Sequence, residues 1–120
     1  MIDKFNIRLI SDYKSTRSIK EINKDLCDSI LSSNILTGSH IYSNIHKLIY
    51  KISLGQNTYE FRKINHINKN KTIIESLNHN ELINVKSVMI ETIKIIEIGF
   101  DYHEIKDYLF SNRNSILFHE

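Results

Sequence analysis

The 120-residue sequence contains no alanine, proline or tryptophan, only three glycines and one cysteine. Each shortage excludes something. A lone thiol, Cys27, cannot close an intramolecular disulfide, so a small secreted domain held by bridges is ruled out and a cytoplasmic setting is expected. There is no Gly/Ser/Pro-rich linker, internal repeat or low-complexity tract, so residues 1–120 are read as a single domain around one core. Long apolar runs are also missing. The greasiest stretch, residues 93–98, is interrupted by Lys94 and Glu97, and a spanning helix needs roughly 20 apolar residues. The first eight residues alternate charged and apolar side chains, so neither a signal peptide nor a membrane anchor is expected there.

In place of the missing residues stand 23 Ile, 13 Asn and 12 Lys. All three have A/T-rich codons, which points to an AT-rich genome. By association, a chain this short and self-contained fits a virus, phage or mobile element, where small proteins often inhibit host factors. The bias also has a physical side. Ile loses rotamer freedom in a helix through its branched Cβ, at a cost of a few tenths of a kcal/mol relative to Leu. Burying it contributes roughly 1.5–3 kcal/mol, so Ile-rich helices depend on tertiary packing.

Periodicity locates the elements. Phe5, Ile7 and Leu9 alternate with Lys4, Asn6 and Arg8, the period of a half-buried strand. Ser18 and Glu21 have capping-box spacing, followed by Ile19, Ile22, Leu26 and Ile30 on one helical stripe. A second helix is expected from about residue 40 to 53, with Ile41, Ile45, Leu48, Ile49 and Ile52 in register and Gly55 as its terminator. Tyr59 and Phe61 alternate with Glu60 and Arg62 ahead of the turn-like residues 68–71, which favours a hairpin over 57–77. Leu82, Val85, Met89, Ile93 and Ile96, with Gly99 beyond them, mark the strongest helix. A shorter one starts at Asp101 with Ile105, Tyr108 and Leu109 on one face. The expected fold is a helix-dominated α+β domain, about four helices against a small antiparallel sheet; the alternative is an all-α helical bundle.

The formal charge of +2 conceals segregation. Residues 40–74 carry a net +5, and residues 75–109 a net −4. Either the basic segment pairs with the acidic helices in the fold, or it is a surface for a partner. The candidate partner-binding residues are Lys47, Lys51, Tyr59, Phe61, Arg62, Lys63, Lys69 and Lys71, with Tyr42 and Tyr50 interleaved as further rings. The expected partner is an acidic protein surface or a large protein complex. Helix, turn, helix and basic hairpin also describe a winged-helix-like nucleic-acid-binding regulator. A homodimer is compatible with both; a membrane is not an expected partner.

Catalytic patterns are sparse. Residues 13–18 offer Lys, Ser and Thr at a helix start but no glycine, so they form a helix cap and not a phosphate-cradling loop. No two of the six histidines have the i, i+4 spacing of a helical metal site, and the acids around His103 suit a helix N-terminus electrostatically. Cys27 borders an apolar stripe and reads as a small core residue. Arg113-Asn114-Ser115-Ile116-Leu117-Phe118-His119 resembles the Arg-Asn…His signature of HEPN-type ribonucleases. That resemblance covers seven residues and implies a helical fold with Arg113 and His119 acting on RNA. The leading expectation remains a non-enzymatic binding protein without cofactor, catalytic residues or metal, with the HEPN-like ribonuclease as an alternative.

Overall fold

Side-chain oxygens start four of the described helices. Ser18 Oγ accepts the Glu21 N–H at 3.2 Å and Asn57 Oδ1 the Glu60 N–H at 2.8 Å. Asn78 with Glu81, and Asp101 with Glu104, form reciprocal capping boxes. Gly55 and Gly99 end helices with φ of 75° and 107°, left-handed geometry that any other residue adopts only at a cost. The computed structural model describes residues 18–117. Within them lie α1 (Ile19–Ser32), α2 (Ile41–Leu54), α3 (Thr58–Ile64), a 3₁₀ turn (Ile74–Ser76), α4 (His79–Ile98), α5 (Tyr102–Ser111) and α6 (Arg113–Ile116).

The described residues contain no strand, so the expected α+β fold with its small antiparallel sheet is corrected to the all-α alternative. The hairpin over 57–77 is replaced by α3, a loop and the 3₁₀ turn. A strand would place Tyr59 and Phe61 on one face, whereas two residues along a helix lie about 200° apart. Tyr59 is 73% exposed and Phe61 4%, the helical outcome. Four alternating residues are too short a run to separate the two periods, and the Asn57 cap decides in favour of the helix. Beyond α3, His66 takes a left-handed φ of 54° and Arg62 Nη1 donates to the Lys71 carbonyl at 2.9 Å, closing the loop. The strand expected over 4–10 lies outside the described residues.

α4 is the centre of the molecule. It packs against α1, α2, α5 and α6. Leu82 and Ile93 of its expected stripe are only half-buried, while Val88, Thr92 and Ile95 are buried beside Val85, Met89 and Ile96. A helix with neighbours on several sides buries more than one stripe. Thr92 Oγ1 donates to the Val88 carbonyl at 2.7 Å, which satisfies its hydroxyl inside the core. Ile22, Leu26 and Ile30 of α1, Ile45, Ile49 and Ile52 of α2, and Ile105 and Leu109 of α5 complete that core. No helix among the described residues is long and apolar enough to cross a membrane.

Candidate functional site

The basic segment folds into two hollows. Tyr59, Arg62 and Lys63 recur at steps of three and four on α3, and with Ile67 and Lys69 they line a hollow of about 500 Å³. Burial raises the Tyr50 hydroxyl above its usual pKa, and the nearby Arg62 guanidinium opposes that rise. Arg62 thus does two things at once: it holds the loop through the Lys71 carbonyl and gives the hollow its sign. Lys71 is exposed.

Lys47 and Lys51, one turn apart on α2, face a different hollow of about 350 Å³. There they meet Tyr102, Lys106 and Phe110, a ridge of α5 with steps of four, together with Asn44, Leu48 and Asn57. No carboxylate lines it. Lys106 was hidden from a charge count because it sits in the acid-rich window 75–109; its i, i+4, i+8 spacing with Tyr102 and Phe110 was the available signal.

None of Lys47, Lys51, Arg62, Lys63, Lys69, Lys71 and Lys106 lies within ion-pairing distance of a described carboxylate. Among the described residues the basic segment is therefore not neutralised by the acidic helices. Lys94 and Glu91 pair within α4 at 3.9 Å, and Glu91 also accepts the Tyr108 hydroxyl at 2.7 Å, which raises that phenol above its usual pKa. A third hollow, lined by Asp28, Glu97 and Ile35, has the opposite sign.

The candidate rings separate. Phe61 is buried and anchors α3, so it is not a stacking surface as expected. Tyr42 belongs to a polar junction between α1 and α2. Its hydroxyl accepts from Cys27 Sγ at 3.0 Å and from Asn23 Nδ2 at 3.4 Å. His46 Nε2 lies 2.6 Å from Asn23 Oδ1, and its Nδ1 3.2 Å from the Tyr42 carbonyl. An activated cysteine needs a base beside it, but Cys27 donates to a phenol and His46 is turned to Asn23 and Tyr42. This cluster joins two helices. Tyr59 is the most exposed ring of the expected set, at 73% against 41% for Tyr42.

The described half of the ribonuclease-like pattern has a structural task. Arg113 Nε donates to the Ile52 carbonyl at 2.8 Å, capping the last turn of α2, while His119 lies outside the described residues. The basic hairpin of the winged-helix reading is absent from the described residues, and Lys69 and Lys71 sit in an irregular loop instead. No group of three or more His, Cys, Asp or Glu among the described residues is arranged to hold a metal ion. Comparison with protein-family models, with curated proteins and with solved structures gives no significant match.

Proposed function

We propose that this chain is a non-enzymatic binding protein that docks onto an anionic macromolecular partner through its two lysine-lined hollows. The observation that carries this reading is the absence of ion pairs between the basic segment and any described carboxylate. Intramolecular pairing was the competing explanation for the charge segregation. Cations left without carboxylate partners keep their field for an external anion, and association through them weakens with salt.

The experiment is retention of the purified chain on immobilised heparin as a generic polyanion. The wild type is expected to bind at about 50 mM salt and to elute well before 1 M, because counterion release makes such binding steeply salt-dependent. Reversal at both hollows, Lys47→Glu with Lys51→Glu, Lys63→Glu and Lys69→Glu, is expected to abolish retention while leaving helical circular dichroism intact. Passage of the wild type through the column at low salt would refute the reading.

A further inference from the structure

We infer that the hollow between α2 and α5 receives single-stranded nucleic acid, with phosphates on Lys47, Lys51 and Lys106 and a base against Phe110 and Tyr102. This rests on the anionic-partner reading and narrows it to one class of partner. The argument comes from how charge and apolar surface are combined. Three lysines from two helices share one lining with Leu48, Tyr102 and Phe110, and no carboxylate is among the lining residues. Phe110 is 47% exposed although it is aromatic, and Leu48 of the same lining is buried. A run of carboxylates alone would match the lysines and leave the Phe110 ring in water. A nucleotide brings both features, an anionic phosphate and a flat base able to cover a ring.

Spacing supports a strand over an isolated anion. Lys47 and Lys51 are separated by one helical turn, a rise of about 6 Å, so their ammonium groups offer successive sites along one line. Lys106 extends the positive field across to α5, so the backbone of a bound strand runs past the aromatic ridge. Duplex nucleic acid is disfavoured because its bases are already stacked on one another and cannot lie on Phe110. Asn44 and Asn57 stand in the same lining as uncharged polar groups.

The test is fluorescence anisotropy with a labelled 12-mer of oligothymidylate at low salt. A duplex of equal length and a labelled oligo-aspartate peptide serve as competing probes. Saturable binding of the single strand is expected, tighter than binding of either competitor. Phe110→Ala is expected to weaken it about tenfold, as loss of one base–ring stack does. Phe110→Leu keeps apolar volume but not the π-face, so it is expected to weaken binding similarly while its melting temperature stays at the wild-type value. Lys47→Glu with Lys51→Glu is expected to abolish both oligothymidylate binding and most heparin retention. Heparin retention without oligothymidylate binding would overturn the inference and leave anionic docking standing; so would tighter binding of oligo-aspartate or the duplex, or wild-type affinity in both Phe110 variants. Loss of heparin retention in the wild type itself would remove both.

Discussion

His46 Nε2 stands 2.6 Å from Asn23 Oδ1 while the other ring nitrogen faces the Tyr42 carbonyl at 3.2 Å. As placed, both partners are acceptors, and a neutral imidazole has one N–H to offer. Protonation would satisfy both contacts. Burial opposes it and prevails, holding the His46 pKa below its ordinary value, with the Tyr42 carbonyl pulling the other way.

The pH dependence follows from that direction. In the unfolded chain this histidine takes up a proton near pH ~6.5. In the folded chain it does so only at lower pH, so between the two values the unfolded state binds more protons. Stability is expected to fall as pH drops through about 6.5 and to level off below the folded value. Urea unfolding at about pH 7.5 and about pH 5.5 measures the loss, and His46→Gln is expected to reduce the difference between the two.

Phe61 and Tyr59 separate stability from binding. Phe61→Ala removes a buried ring and is expected to cost about 3–5 kcal/mol, whereas Tyr59→Ala, at an exposed position, is expected to stay within about 0.5 kcal/mol of wild type. In the heparin assay the order reverses, with Tyr59→Ala eluting earlier and any folded Phe61 variant behaving as wild type. Equal destabilisation by both changes would mean that residues 58–61 form a strand with the two rings on one face.

Gly55 and Arg113 should be coupled. A Cβ on Gly55 would sit 3.3 Å from Arg113 Nη2, on a backbone with φ of 75°. Gly55→Ala is expected to cost about 1–2 kcal/mol from left-handed strain alone, with crowding added. Arg113→Ala, which loses a charged hydrogen bond to the Ile52 carbonyl, is expected to cost about 1.5 kcal/mol. In the double variant the crowding is gone, so the combined cost is expected to fall short of the sum. Strict additivity in urea titrations would show that the guanidinium moves aside without effect.

A peptide covering residues 79–99 is expected to be mostly unfolded in water. It contains the longest helix but lacks Asn78, the N-cap of the capping box, and its apolar side chains are β-branched for the most part and meet their partners only in the assembled core. Strong helical circular dichroism from the isolated peptide would contradict this.

The helices were legible because their signals are local. Ser18 and Asp101 act within three residues of themselves, and Gly55 and Gly99 stop the chain by their own backbone freedom. The 57–77 segment was misread because Tyr59-Glu60-Phe61-Arg62 fits either period, and the Asn57 cap that resolves it resembles a turn residue in isolation. The site was legible in part. Lys47 and Lys51 stand out by charge, but Lys106 and Phe110, which line the same hollow, come some 55 residues later in the chain and meet them only through α2–α5 packing. Arg113, which has the look of a catalytic residue within its seven-residue pattern, is committed to a carbonyl 61 residues away.

The position of α4 in the chain has a consequence for biosynthesis. Ile22, Leu26, Ile45 and Ile49 are made before the helix that covers them, and the bond from Arg113 to Ile52 needs the chain to have been made past residue 113. A growing chain that has not yet emerged past residue 98 therefore displays two uncovered isoleucine stripes. During that interval the exposed lysines and acids of α1 and α2 are what oppose aggregation. A ribosome pause that falls before α4 has emerged would lengthen exposure of the stripes, and a pause after its emergence would not.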